Sequence, residues 1–309
     1  MSILVPRCGQ VLSRDIADYP EGIILPVDKP YRWTSADVIR KLKYAAIRHF
    51  SKKNLKVGHA GTLDPLATGV LLVCIGNACK QAQQLQDHDK EYIARIRFGA
   101  TTPSYDLEKE VDRQFPYQHI SADTVRAALP AFLGEQEQVA PLFSAKSVDG
   151  VRAYELARKL YRSGQTEAID AAALETLQRN KIRISELELL EFVPADEGVF
   201  SPESVATLGL IRGRGPSVRM GGVGEADDLR ENTPSSASSR IHVADTSALG
   251  LPEAVIRIGC SKGTYVRAFA RDLGEALESG AHLAGLIRSR SGDFSLDDTL
   301  SVPEALALF

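Results

Sequence analysis

The chain has 309 residues, 44% of them hydrophobic and 25% charged, which is enough apolar material for one large core or two ordinary ones. Its formal net charge of −3 gives no global basic signal, so a nucleic-acid partner would have to be met by a local positive patch. Cys8, Cys74, Cys79 and Cys260 form neither the C-x-x-C pairs of a structural zinc site nor a disulfide framework. Residues 1–22 lack a secretory signal pattern, and no apolar run approaches the ~20 residues of a membrane span. These features fit a reducing cytoplasm, with Cys74 and Cys79, at the end of an apolar run, read as buried thiols.

Residues 1–22 read as a short N-terminal extension. Ile23 to Val27 is a brief apolar strand stopped by Asp28-Lys29-Pro30. Thr34 or Ser35 caps a helix toward Phe50, whose Val38, Ile39, Leu42, Ala46 and Ile47 fall at helical spacing. Gly58 to Thr68 is a loop, Val70 to Ile75 a continuous apolar run suited to a buried strand, and Asn77 toward Leu85 a helix. Glu91 to Phe98 alternates as a half-buried strand with Tyr92, Ala94, Ile96 and Phe98 on one face. Ser121 caps a helix toward Leu133, and Arg152 to Ser163 is another, ended by Gly164. Ile182 to Phe192 and Ala254 to Cys260 read as strands, Tyr265 to Leu277 as a helix, and Pro303 to Leu308 as a short final helix.

Strands and helices interleave, but several links are too short for repeated parallel crossovers. The pattern therefore implies an α+β fold with a mixed, mostly antiparallel central sheet flanked by helices and loops. Ser201 to Leu249 is rich in Gly, Ser, Arg and Asp and lacks apolar periodicity, so it reads as a flexible insertion between two strands. An ordered lobe without a visible core is the alternative there.

The most specific stretch is Gly58-His59-Ala60-Gly61-Thr62-Leu63-Asp64-Pro65-Leu66-Ala67-Thr68-Gly69-Val70-Leu71. It places one carboxylate on a tight loop between glycines, just before a buried strand. Pro65 restricts Asp64 to extended geometry, and the glycines allow close approach of a backbone or a ligand. Taken alone, the segment also suits an ordinary Asp-Pro turn. From Arg40 to Lys56 the chain carries Arg40, Lys41, Lys43, Arg48, Lys52, Lys53 and Lys56 and no acidic residue. That run suits either a phosphate track or a solvated helix face.

The loop resembles the catalytic loop of the TruB family of pseudouridine synthases, G-H-x-G-x-L-D-P-x-A-x-G-x-L, at every fixed position. Asp28-Lys29-Pro30 with Thr34-Ser35, Lys90-Glu91-Tyr92, the segments Ser144-Ala145 to Gly150 and Ala153 to Arg158, Ser261 to Arg267, Asp272-Leu273-Gly274 and Ala281-His282-Leu283 resemble further family motifs in order. The resemblance covers most of residues 23–309, apart from the insertion, as one catalytic domain. The family's C-terminal PUA domain is expected to be absent, and with it a stand-alone enzyme is expected.

The resemblance implies an isomerase that converts the T-loop uridine of tRNA (U55) to pseudouridine after base flipping. It needs no cofactor and no metal, because the reaction involves no redox change and no external group. Asp64 is the expected nucleophile, Arg267 the cation that keeps it ionised, and Tyr92 the ring that stacks on the uracil and assists proton transfer at C5. Tyr265 and Leu286 are expected to line the base pocket, His59 to contact RNA near the vacated stack, and Lys29 and Lys80 to lie near the site. The implied partner is the tRNA T-arm, met by a monomer that requires no protein partner and no membrane.

Some positions depart from the family pattern. Arg32 stands where a glycine is common; Pro103, Ser104 and Lys109 interrupt a Thr-Asp-Thr-x-Asp-x-x-Gly loop, leaving Thr102 and Asp106; Lys146 and Ser147 look displaced by one; and Ile287 replaces one of two arginines while Arg288 remains. These positions are expected to touch RNA contacts more than catalysis. Two other functions fit the same scaffold: a tRNA-binding folding chaperone, and a pseudouridine synthase for another RNA.

Overall fold

The computed structural model describes residues 3–144, 146–148, 151–166, 168–177, 179–195 and 241–309. Nine strands form the central sheet: β1 (Ile23–Lys29), β2 (Val57–Ala60), β3 (Ala67–Ile75), β4 (Lys90–Phe98), β5 (Gly134–Gln138), β6 (Asn180–Val193), β7 (Glu253–Cys260), β8 (Ala281–Ser291) and β9 (Phe294–Ser295). The described helices are α1 (Ser35–His49), α2 (Ala82–Asp87), α3 (Ala122–Ala128), α4 (Ala153–Arg162), α5 (Ala168–Thr176), α6 (Val266–Ala276) and α7 (Val302–Leu306). The fold is α+β, and every ladder whose register is described is antiparallel. Parallel pairing occurs as the isolated bridges Leu4–Ile23, Val27–Leu300 and Asp106–Leu283.

The chain divides into two compact units. Among the described residues, the first holds 3–92, Ile241 and 287–309, and the second holds 93–195 and 242–286. In the first unit, β1 pairs with β3 from Ile23–Ile75 to Lys29–Gly69, and β2 pairs with β3 from Val57–Ile75 to Ala60–Leu72. Ile24, Ala60, Val70, Leu72, Cys74, Ala78 and Leu85 form a buried cluster. Helix α1 starts in a capping box, in which the Thr34 hydroxyl accepts from the Asp37 N–H at 3.1 Å and the Asp37 carboxylate accepts from the Thr34 N–H at 3.0 Å. Residues of the N-terminal extension pack here: Leu12 is buried, and the His49 ring lies 3.0 Å from the Ser13 carbonyl and 2.7 Å from that of Phe309.

In the second unit, β6 pairs with β7 on one edge and with β5 on the other. Val139, Ala140, Leu142, Ala153, Ala157, Ile169, Ala173 and Leu177 build a core that gathers α4 and α5. The alternation over β4 implied a half-buried strand, but residues 93–98 are buried on both faces. Arg95 and Arg97 are tolerated inside because both bond to Glu253, itself 2% exposed, and Arg97 also bonds to the Thr246 hydroxyl.

Of the insertion read over residues 201–249, residues 201–240 lie outside the described residues. Residues 242–249 are described, and Ala244 and Thr246 are buried in the second unit. Two further differences concern local structure. Gly58 to Ala60, expected in a loop, pair with β3 as β2, and the Asn77–Leu85 helix is a 3-10 turn (Gly76–Gln81) followed by α2. Cys74 is buried as expected and Cys79 is partly exposed.

Candidate active site

Asp64 sits in the first unit, between β2 and β3. Around it, every carbonyl from Gly61 to Pro65 has a donor. The Gly61 carbonyl accepts from Arg288 Nη2 at 3.1 Å, and that of Thr62 from Arg288 Nη1 at 3.4 Å. The Leu63 carbonyl accepts from the Ser35 hydroxyl at 3.1 Å, and the same hydroxyl accepts from the Leu63 N–H at 2.9 Å. The Asp64 carbonyl accepts from the Ala67 N–H at 3.1 Å, closing a turn with Pro65 in its favoured second position. The Pro65 carbonyl accepts from the Arg32 N–H at 2.9 Å and from Lys29 Nζ at 3.3 Å. An irregular loop held this way presents its side chain from a rigid base.

Lys29, at the end of β1, is fully buried, and its ammonium also donates to the carbonyls of Trp33 (2.6 Å) and Pro30 (2.9 Å). Burial pushes this lysine down to about 7, against the attraction of Asp64 and then Asp28. His59, on β2, is half-buried. Burial and then the charge of Arg288 lower its pKa, so the ring is neutral near pH 7, and its buried Nδ1 has no hydrogen-bond partner. Tyr92, on β4, is half-buried, and Lys80 is exposed on the 3-10 turn after β3. The structure thus brings Lys29, His59 and Asp64 together around Arg288, with Lys80 standing out in solvent.

The other expected residues lie in the second unit. Arg267, in the first turn of α6, is 5% exposed and donates to the carbonyls of Ser104 (3.1 Å) and Phe143 (3.0 Å). Its Nε stands 3.7 Å from a carboxylate oxygen of Asp106. Asp106 is fixed in turn by the Ser104 hydroxyl at 2.6 Å and the Glu108 N–H at 2.9 Å. Tyr265 caps α6 and exchanges two bonds with the Gln138 amide, at 2.8 and 3.2 Å, while Leu286, on β8, is 8% exposed. Among the described residues, no group of three or more His, Cys, Asp or Glu could hold a metal ion, and no helix is long and apolar enough to cross a membrane.

Residues 48–197 match the model of the TruB family pseudouridylate synthase N-terminal domain. A protein from Phocaeicola vulgatus described as tRNA pseudouridine synthase B is 43% identical over 92% of this chain and 92% of its own length. The chain belongs to the TruB family of pseudouridine synthases. A tRNA pseudouridine synthase B from Flavobacterium johnsoniae is 35% identical over 92% of this chain and 95% of its own, and one from Thermus thermophilus is 39% identical over 90% and 75%. Among solved structures, the crystal structure of a Cbf5-Nop10-Gar1 complex contains a chain with a TM-score of 0.52 and 22% identity, a likeness of fold. It covers 93% of this chain, which spans about half the length of that one, 54%.

The departures from the TruB pattern now have physical content. Arg32 takes a left-handed backbone, φ 63°, which is why glycine is common there. Its guanidinium donates to the Ile241 carbonyl at 3.0 Å. In the interrupted loop, Ser104 holds Asp106 through its hydroxyl and Arg267 through its carbonyl, while the Thr102 hydroxyl donates to the Asp106 carbonyl at 2.6 Å. Tyr105, between them, is left-handed at φ 59°. The sequence reading gave Ser35 only a capping role, which Thr34 fills, and gave Asp106 and Gln138 none. Ser35 and Asp106 lie inside recognised segments, so the position was visible but the bond was not.

Proposed function

We propose that this protein isomerises uridine to pseudouridine in tRNA, at the T-loop uridine U55, working as a monomer without a protein partner. The bond from N1 to the sugar breaks, the uracil turns, and C5 bonds to the same sugar carbon. The C5 proton leaves, and a proton returns to nitrogen, so the product is an isomer. Asp64 is the nucleophile, Arg267 supports its charge once the base has displaced water, and Tyr92 stacks on the uracil and assists the proton transfer. Tyr265 and Leu286 border the base, and Lys29 and Lys80 add positive charge.

The observation that carries this reading is the complete set of partners on the carbonyls of residues 61–65, which fixes the base of the Asp64 side chain. Preorganised placement of a reacting group is worth several orders of magnitude in rate. The neutral His59, with its buried, unpartnered Nδ1, suits a base or ribose more than a phosphate.

Flipping a base costs a few kcal/mol, so contacts elsewhere on the RNA have to offset it. The basic run supplies part of them. Arg40 is paired with Asp37, and Lys41 and Arg48 lie over the rings of Trp33 and Tyr44. Lys43, Lys53 and Lys56 converge with Asn54 and Gly58 on an open groove of about 500 Å³, which suits a phosphate backbone.

The test is tritium release from tRNA transcript labelled at uridine C5. Release by wild type and none by Asp64→Ala, with the modification mapped to the T-loop, is the expected result. Tight binding without release by either protein would refute the enzyme reading and favour a folding chaperone.

A further inference from the structure

In the sequence, Arg288 is only the arginine that remains beside Ile287, and the structure gives it a defined place. It lies on β8, is 1% exposed, and is among the largest fully buried side chains of the molecule. Two of its nitrogens donate to the carbonyls of Gly61 and Thr62, on the arm that enters the Asp64 loop. Its Nε donates to the Val70 carbonyl at 2.7 Å, on the arm that leaves it. Its main chain is engaged as well. Gly69 lies so close to the Arg288 backbone that a Cβ there would stand 2.9 Å from its nitrogen and carbonyl carbon and nearer still to its oxygen.

One residue therefore bridges both arms of the loop. A buried cation among carbonyls is costly, and a hydrophobic side chain of similar volume would fill the space without that cost. The planar fork is what three acceptors in fixed directions require, and a lysine ammonium cannot reproduce its geometry.

We propose that Arg288 is a positioning residue for the reaction, clamping the two arms of the Asp64 loop so that the carboxylate is presented at a fixed place and direction. This rests on the proposed isomerisation, and the test separates the two. Arg288→Lys, Arg288→Ala and wild type are compared by tritium release from labelled tRNA, with kcat and KM resolved, well below each protein's melting temperature. A loop displaced by about 1 Å lowers turnover on the order of 100-fold, with KM for tRNA within about twofold. Millimolar methylguanidinium should restore part of the turnover of Arg288→Ala, as a merely structural role would not.

A raised KM at unchanged kcat would make Arg288 an RNA contact and overturn the clamp. Turnover of Arg288→Lys equal to that of wild type would do the same. If wild type itself releases no tritium, the isomerisation fails, and the clamp is read without substrate. Amide hydrogen exchange over residues 61–70 should then be faster in Arg288→Lys than in wild type, and equal protection would refute it.

Discussion

Replacing Gly69 with alanine tests how tightly the strand leaving the Asp64 loop is set against its neighbour. Gly69 has φ +98°, and its N–H donates to Asp28 Oδ1 at 3.1 Å. An added Cβ would meet the backbone of Arg288, with the nitrogen and carbonyl carbon both at 2.9 Å, closer than real Cβ atoms approach. The atoms in the way belong to a strand, so no flexible side chain can swing aside. A left-handed backbone costs an L-residue about 1–2 kcal/mol. Forcing a methyl into a packed interior costs about 1–3 kcal/mol more. Together these predict a loss of about 2–5 kcal/mol, or a fall in melting temperature of roughly 5–15 °C for a chain of this size. Gly58→Ala is the matched control, since a Cβ there meets nothing within 4 Å and its φ is not left-handed. Thermal melts of the two variants beside wild type decide the matter. If Gly69→Ala melts within about 1 °C of Gly58→Ala, the close packing of these strands is wrong.

Ser35→Ala removes both bonds to Leu63 and leaves its buried N–H without a partner, which should cost about 1–3 kcal/mol in urea unfolding. Turnover should fall with it, because Leu63 adjoins Asp64; unchanged turnover would show that this bond does not help present the carboxylate. Glu253→Gln leaves Arg95 and Arg97 buried without their countercharge and should cost about 3–5 kcal/mol, read as a shift in denaturant midpoint. For Lys29, burial lowers the folded pKa to about 7 from an ordinary 10.5. Between those values the unfolded chain binds more protons, so this residue makes stability rise with pH from about 7 toward 10.5. Wild type should gain on Lys29→Met in melting temperature between pH 7 and pH 9, and a constant difference would contradict the buried, titrating lysine.

Much of this was legible in the residues. The helical spacing of Val38, Leu42 and Ala46 behind the Thr34 cap gives α1, and the loop motif singles out Asp64 before any contact is known. What escaped depends on partners distant in the chain. The alternation of β4 cannot reveal that Arg95 and Arg97 are buried, because the carboxylate that neutralises them lies 158 and 156 residues away. Residues 281–291 carry no clean alternation, since the strand is largely buried through to Ser291, and β8 went unread as a strand. Arg288 was therefore noted only as the arginine that remains beside Ile287, with no sign of its burial. β2 was missed because His59 and two glycines surround it with turn-forming composition, although its pairing with β3 decides its state.

Holding the Asp64 loop largely by buried side chains rather than by a ladder has an electrostatic consequence. Among carbonyls 61–65, those of Asp64 and Pro65 accept from the backbone N–H groups of Ala67 and Arg32, and the others take their donors from side chains. A single hydroxyl, at Ser35, serves Leu63. The remaining side-chain donors come from Arg288 and Lys29, at 1% and 0% exposure, each able to serve several acceptors at once. On the proposed reading of Asp64 as the nucleophile, the Arg288 guanidinium and the titrating Lys29 amine set basic groups beside the loop that carries it. Asp64 is the largest of the influences that oppose the loss of Lys29's proton. Asp28 and Asp37 act on Lys29 in the same direction, which limits the cost of two buried cations in one unit. The scaffold that fixes the Asp64 loop therefore also carries charge, and a variant that keeps the loop's shape while removing the Lys29 charge separates the two effects.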